Sequence, residues 1–230
     1  KMLYKYPQKA FPYDQLYAEN DRRSREEPEY ELMDTGIFDT GAYFDIFVEY
    51  AKAGPTDILI KVSVSNRNKE GASISLLPTI WFRNTWSWSD DKTKPTMEAQ
   101  GTNSIYLQHD KTGPYFLYCN GNCDLLFCEN ETNQKRFQSK RGIQPIAKDG
   151  INDFIVNKKR TTLNKSKTGT KASAHYNLTV GAGETVTIQL RLTKEADDYP
   201  FHNFDAIFWQ RMNENEEFYT DLQRGVMSQE

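Results

Sequence analysis

Apolar and polar residues alternate along much of the chain, and this period of two predicts β-strands. One such stretch runs from residue 43 to 50 and another from 57 to 65, with a turn at Gly54-Pro55 between them. In the second stretch, the residues assigned to one face are Ile58, Ile60, Val62 and Val64. Regular alternation of this kind indicates antiparallel strands with one face in solvent.

The same pattern predicts further strands and two hairpins. The predicted strands span residues 72–84, 104–109, 115–119, 123–128, 175–180 and 185–193. Asn120-Gly121 and Gly181-Ala-Gly183 are turn sequences typical of hairpins, so each is predicted to pair the two strands beside it.

Helical spacing occurs near both ends. Residues 11–25 predict a short helix, and from Phe201 the apolar residues recur at a spacing near 3.6, with Asn203 as the N-cap. The apolar face of this second helix needs a partner. Between strands, the basic segment 157–171 predicts a solvated loop rather than a nucleic-acid site, because no aromatic residues alternate with its lysines.

Composition narrows the classes of function. The chain has 37% hydrophobic and 13% aromatic residues, a balance that suits β-sheets, and its net charge of −3 recruits neither nucleic acid nor an anionic membrane. We find no membrane-spanning run and no signal peptide. The chain opens abruptly on Lys1, so we expect an excised piece of a cytoplasmic protein whose true N-terminus is missing.

Motifs for catalysis, cofactors or metals do not stand out. The sequence has no P-loop, no nucleophile elbow, no metalloprotease motif and no dinucleotide-binding motif, so we expect no cofactor and no catalytic residue in this segment. The three cysteines, Cys119, Cys123 and Cys128, match no zinc-site spacing and are expected to be reduced thiols.

The stretch from Leu77 to Trp88 holds three of the four tryptophans. On a continuous strand, Trp81 would point to one side, and Trp86 and Trp88 to the other. Packing in the core is favoured first, docking of another domain second and stacking against a sugar third. The candidate carbohydrate-binding or domain-interface residues are Trp81, Arg83, Asn84, Trp86, Trp88, Lys171 and His175.

This stretch resembles bacterial proteins similar to glycoside hydrolase family 63, the processing α-glucosidase I (mannosyl-oligosaccharide glucosidase) group. Further similar segments are 4–8, 10–13, 30–36, 43–52, 168–176 and 204–219. The resemblance implies an antiparallel β-super-sandwich of the galactose-mutarotase-like type, followed in the family by an (α/α)₆ barrel that holds the catalytic acid and base. No catalytic residue can be assigned to this chain on that basis.

The sequence thus predicts a mainly β fold with a short N-terminal helix and a C-terminal linker helix. Residues 1–200 are expected to form the super-sandwich segment, and residues 201–230 the linker toward an absent barrel. The expected partners of this chain are the catalytic barrel and the oligosaccharide substrate of an inverting α-glucosidase. The segment alone is expected to be inactive. The alternative is a carbohydrate-binding module that uses the stretch from Trp81 to Trp88.

Overall fold

The computed structural model describes residues 1–88, 93–133 and 146–225, and within them the chain is mainly β. The strands are β1 (Met2–Pro7), β2 (Tyr43–Gly54), β3 (Asp57–Asn66), β4 (Ala72–Leu76), β5 (Thr79–Trp81), β6 (Thr96–Gln100), β7 (Ser104–His109), β8 (Gly113–Cys119), β9 (Asp124–Cys128), β10 (Thr168–Gly169), β11 (Lys171–Val180) and β12 (Thr185–Thr193). The α-helices are α1 (Tyr13–Arg22), α2 (Gly150–Asn157) and α3 (Phe204–Leu222).

The strands form two antiparallel sheets. The larger sheet has eight strands in the order β1-β2-β3-β12-β8-β7-β6-β10. The smaller has four strands, in which β11 pairs with β4, β5 and β9. Together with α1 and α3, this confirms the predicted mainly β, antiparallel fold with a helix near each end. The last five residues of the predicted linker, 226–230, lie outside the described residues.

Both predicted hairpins are wrong. Asn120-Gly121 follows β8 of the larger sheet and leads into β9 of the smaller one. The segment 181–183 likewise leads from β11 of the smaller sheet to β12 of the larger one. Gly121 and Gly183 do have the positive φ that these turns need, 79° and 69°. Turn chemistry therefore determines where the chain bends, but the sheet that the next strand joins is decided by long-range packing.

The predicted strand 72–84 is also wrong in its extent. It breaks at Leu77-Pro78 into β4 and β5, because proline has no N–H for a ladder hydrogen bond. The Pro78 carbonyl accepts from the backbone N–H of Ala174 (3.1 Å) and from the Ser173 hydroxyl (3.0 Å). The strand ends at Trp81, and a 3₁₀ turn covers residues 86–88, so the predicted alternation of faces does not reach Trp86 and Trp88.

The chain divides into two compact units, the first comprising residues 1–49, 61–74 and 177–188. Asn66 is only 1% exposed, and its side-chain hydrogen bonds join distant segments of this unit. Its side-chain amide donates to the carbonyls of Glu70 (2.8 Å) and Val180 (3.0 Å), and its Oδ1 accepts from Gln8 (2.8 Å). These bonds satisfy a buried polar group that would otherwise be costly.

A buried carboxylate is the other polar centre of this unit. Asp45 accepts from Lys5 Nζ at 2.7 Å and from Arg67 Nε at 2.6 Å. Burial opposes ionisation, but the two cations outweigh it and lower the pKa of Asp45. Asp45 lies among apolar residues on β2, so burial on this strand does not follow the predicted alternation.

The second unit comprises residues 50–60, 75–176 and 189–230 and contains two apolar clusters. In one cluster Ala51 and Leu59 pack against Phe204 and Phe208 of α3. In the other, the buried residues are Leu126, Cys128 and Ile151.

The predicted buried face of β3 is wrong at its beginning. Leu59 is fully buried, whereas Ile58 and Ile60 are only half-buried. The reason is that α3 covers the face that carries Leu59. The alternation of residues within one strand cannot predict which face a helix from a distant part of the sequence will cover.

The remaining helical and loop segments agree in part with the sequence pattern. α1 is shorter than the predicted 11–25, since it begins after Pro12 and ends at Arg22. Asn203 is the residue before α3, but it makes no side-chain capping bond. The basic segment predicted as a solvated loop over 157–171 is largely exposed up to Lys167, but the prediction is wrong at its end, where Thr168–Gly169 forms β10 and Lys171 begins β11. None of the described helices is long and apolar enough to cross a membrane.

Candidate functional site

Trp81 ends β5 and lies on the surface of the smaller sheet. It is 58% exposed and pairs in register with Lys171 on β11. Lys171 Nζ donates to the carbonyl of Lys148 at 2.8 Å, so its ammonium group is already held by the protein. The structure therefore brings Trp81 and Lys171 together, with the indole the more available of the two side chains.

Arg83 and Trp88 form a second exposed element. Trp88 is 64% exposed, and the guanidinium carbon of Arg83 lies 5.5 Å from the centre of its ring. This distance lies within the range of a cation–π interaction. We call Trp81, Arg83, Trp86 and Trp88 the aromatic surface.

Asn84 shapes the backbone of the aromatic surface. Its Oδ1 accepts from the backbone N–H of Ser87 at 3.2 Å and from the Ser87 hydroxyl at 2.7 Å. Asn side chains often stabilise turns by bonding the backbone a few residues ahead. Asn84 thus acts by folding the 3₁₀ turn that presents Trp86 and Trp88, with its side-chain oxygen occupied.

Trp86 is less exposed than Trp88, and its indole nitrogen is bonded to a carboxylate. Trp86 is half-buried, and its Nε1–H donates to Glu131 Oε1 at 3.0 Å. Lys94 Nζ lies 5.9 Å from the centre of the Trp86 ring. The position of this indole is therefore determined by Glu131, which is distant in sequence, and by Lys94, which follows Trp86 by eight residues.

Lys94, Glu129 and Glu131 form a charged cluster beneath Trp86, which sequence reasoning missed. Lys94 Nζ lies 2.9 Å from Glu129 Oε2 and 2.9 Å from Glu131 Oε1. The Thr170 hydroxyl donates to Glu129 at 2.8 Å. Glu129 and Glu131 are two residues apart just after β9, but Lys94 is distant in sequence, so no local signal could have identified the cluster.

The charges of this cluster reinforce one another. Burial opposes ionisation of Glu131, but hydrogen bonds from Trp86 and Lys94 outweigh it and lower its pKa. Burial also opposes the charge on Lys94, and the two carboxylates overcome it and raise its pKa. Glu131 is therefore ionised at neutral pH, and it serves as an acceptor rather than as a proton donor.

His175 does not join the aromatic surface. Its Nε2 lies 3.1 Å from the hydroxyl of Ser75, and it pairs in register with Asp124. Burial lowers the pKa of His175, so the neutral imidazole is favoured at pH 7.

A small cavity of about 210 Å³ lies beside Trp81. Its walls are mostly apolar, and its lining includes Ile58, Ile80, Trp81, Phe82, Tyr115 and Leu192. Cavities of about 150 Å³ accept a benzene-sized molecule, so there is room here for a single ring. The lining residues come from strands that are distant in sequence, so no local pattern predicts the cavity.

Within the described residues, no group of three or more His, Cys, Asp or Glu side chains is arranged to hold a metal ion. The site instead consists of the exposed indoles of Trp81 and Trp88 and of a half-buried indole, Trp86, above a cluster of one cation and two carboxylates. Such a surface can stack against a flat apolar partner, and its polar rim can bond to hydroxyl or carboxylate groups.

A comparison with known protein families finds no match. The chain is similar to the uncharacterized protein YMR196W of Saccharomyces cerevisiae, with 31% identity over 266 aligned residues that cover 95% of this chain. The alignment covers 24% of the yeast protein, so the chain spans about a quarter of that relative's length. Among solved structures, Polysaccharide Lyase BACCELL_00875 aligns with a TM-score of 0.41 and 11% identity, over 68% of this chain and 21% of that chain.

Proposed function

We propose that this chain is a non-catalytic β-sheet region of a longer hydrolase of the α-glucosidase type, and that it supports a separate catalytic domain. Two findings support a role as part of a larger protein. The yeast relative is about four times longer than the aligned region, since the alignment covers 24% of it. The sequence also resembles the α-glucosidase I group over the segments quoted above.

The observation that carries the proposal is the bare second half of α3. Phe218 and Leu222 are 61% and 67% exposed, and Met212, just before this half, is 52% exposed. Clustered apolar side chains on a surface are typical of sites that another domain covers. The catalytic barrel is the proposed occupant, because in the family that the chain resembles it follows this segment.

The carboxylates of the charged cluster beneath Trp86 fit a supporting role. Glycoside hydrolysis needs one carboxyl group that donates a proton and a second that acts as base or nucleophile. Glu131 is held ionised by Trp86 and Lys94, so it is a poor proton donor. We therefore assign the hydrolytic acid and base to the proposed catalytic domain.

The test compares the isolated chain with its full-length gene product. Both are assayed on a small α-glucoside, and the chain is then titrated with a separately expressed remainder of the protein. We expect no turnover by the chain, turnover by the full-length protein, and a complex between the two pieces. Turnover by the isolated chain would refute the proposal, and so would the absence of α-glucosidase activity in the full-length protein.

Direct binding of a sugar is the second candidate function, and the exposure of Trp81 and Trp88 favours it. These indoles are 58% and 64% exposed, as a stacking platform requires. The apolar face of a pyranose would stack on Trp88, with Arg83 close enough to bond to a hydroxyl. In this role the aromatic surface would bind oligosaccharide without help from another domain.

This second role is tested by isothermal titration calorimetry, in which a malto-oligosaccharide is added to the isolated chain. If it is correct, Trp88→Ala weakens binding about tenfold or more, as truncating a central aromatic contact does. Trp209→Ala is the matched control, because Trp209 is 68% exposed but lies on α3. Equal losses in the two variants, or no binding by the unmodified chain, would count against sugar binding by the aromatic surface.

A further inference from the structure

Cys119 and Cys123 form a pair of thiols at the turn that leads from β8 to β9. Cys119 is the last residue of β8, and Cys123 immediately precedes β9. The two side chains hydrogen bond to each other. Cys119 is buried and Cys123 is half-buried, so a solute reaches Cys123 first.

Three hydrogen bonds hold the turn between the two cysteines. The Asn103 side chain donates to the carbonyl of Gly121 at 2.6 Å, and the Tyr176 hydroxyl donates to the carbonyl of Asn120 at 2.8 Å. The backbone N–H of Asn120 donates to the carbonyl of Gln189 at 2.9 Å. The turn is thus fixed from several elements, and it carries Cys119 and Cys123 at its two ends.

The surroundings favour one thiolate and one thiol. The hydrogen bond from Cys119 lowers the pKa of Cys123 to about 7, although burial and the charge of Asp124 oppose this shift. The hydrogen bond with Cys123, together with burial, raises the pKa of Cys119. Near neutral pH, Cys123 is therefore the nucleophile and Cys119 retains its proton.

Cys128 provides an internal comparison on the same strand that follows the turn. It is completely buried, and burial raises its pKa to about 11. Thiolate character and exposure govern the oxidation of cysteine, and both are lower at Cys128 than at Cys123.

We propose that Cys119 and Cys123 are a peroxide-sensitive dithiol that closes to an intramolecular disulfide. The Cys123 thiolate attacks one oxygen of hydrogen peroxide, the O–O bond breaks, and Cys123 becomes a sulfenic acid while hydroxide leaves. Cys119 sulfur then attacks the Cys123 sulfur, and the S–S bond forms as the S–O bond breaks. The Cys119 proton and the leaving hydroxyl give water, so that one peroxide oxidises two thiols and yields two waters in all. This inference does not depend on the proposed function.

The test exposes the full chain to hydrogen peroxide at about pH 7, where a substantial fraction of Cys123 is thiolate, and then alkylates the remaining thiols. We expect the peptide that contains Cys119 and Cys123 to lose two hydrogens and resist alkylation, while Cys128 is still alkylated. Cys123 should react at least about tenfold faster than Cys128, because thiolate is the reactive form. Thiol reductant should restore both alkylation sites.

Two variants separate the steps. In Cys119→Ser, the sulfenic acid on Cys123 has lost its partner, and dimedone should label it. In Cys123→Ser, the intramolecular disulfide cannot form and Cys119 should remain reduced. Oxidation of Cys128 as fast as Cys123 in the unmodified chain would overturn the proposal without any variant. Disulfides formed only between separate chains would overturn it as well.

Discussion

Each half of α3 carries a pair of apolar residues four positions apart, Phe204 with Phe208 and Phe218 with Leu222, but the surroundings of the two pairs differ. In the first half, Phe204 is 1% and Phe208 is 6% exposed, and their rings stack with centroids 5.0 Å apart. These rings pack on Ala51 and Leu59. In the second half, Phe218 is 61% exposed. The helix is continuous through both halves, so the difference lies in the neighbours and not in the local backbone.

This contrast shows what a helical pattern can and cannot predict. The spacing of apolar residues indicates which side chains share a face, and it is the same for covered and bare turns. Whether a face is covered depends on strands that are distant in sequence. The aromatic surface shows the same contrast on a smaller scale, since Trp86 is anchored by Glu131 and Trp88 is 64% exposed.

The largest expected effect is at the packed half. Phe204→Ala should lower the free energy of unfolding by about 3–5 kcal/mol, because it leaves a cavity beneath a fully buried ring. Chemical denaturation of the isolated chain measures this. A loss below about 1 kcal/mol would mean that α3 contributes little packing to the second unit, and the contrast between its two halves would disappear.

The next largest loss of stability is expected at the ion pair that lies beside the start of α3. Arg191 is 8% exposed. Its guanidinium donates to both oxygens of Asp57 (2.9 and 2.6 Å) and to the carbonyl of Pro200 (2.8 Å). Arg191→Gln should cost about 2–3 kcal/mol, since it leaves Asp57 without its cation.

A matched control for Arg191 lies further along α3. Arg211 pairs with Glu214 at 2.7 Å, and both side chains are well exposed, 41% and 48%. Arg211→Gln should therefore cost below about 0.5 kcal/mol. If both substitutions have equal effects on urea denaturation, the anchoring role assigned to Arg191 is wrong.

The sequence predicted local features of this molecule better than pairings. β7 and β12 have the predicted bounds, Ser104–His109 and Thr185–Thr193, because clear alternation marks both. The strand pairings predicted across Asn120-Gly121 and across residues 181–183 were wrong, because the next strand could join either sheet. For the candidate site, the sequence identified the tryptophans but not the cluster of Lys94, Glu129 and Glu131, which is formed by tertiary contacts.

A smaller effect is expected where the aromatic surface is anchored. Trp86→Phe should cost about 1 kcal/mol, because it keeps most of the ring but removes the hydrogen bond to Glu131. It should also raise the pKa of Glu131, since Trp86 is one of the groups that lower it. An NMR titration of the Glu131 carboxyl measures this shift. Trp88→Phe is the control, and it should leave the pKa of Glu131 unchanged.

The carboxyl group of Glu131 also determines how the free energy of unfolding depends on pH. Because the pKa of Glu131 is lower in the folded chain than its ordinary value of 4.5, its stabilising effect is present above that pH. It is lost as the pH falls below 4.5 and through the folded pKa. Trp86→Phe should weaken this dependence. An unchanged acid dependence would mean that the indole does not control the ionisation of Glu131.

The smallest expected effect is at the bare half of α3. Phe218→Ala should change the unfolding free energy of the isolated chain by less than about 0.5 kcal/mol, because exposed side chains lose few contacts when truncated. In the full-length protein, the same substitution should cost about 1–3 kcal/mol if a domain covers this ring. Denaturation of both proteins, each with and without the substitution, gives the difference directly. Equal small effects in the two would leave the second half of α3 uncovered, and the docking surface proposed there would be wrong.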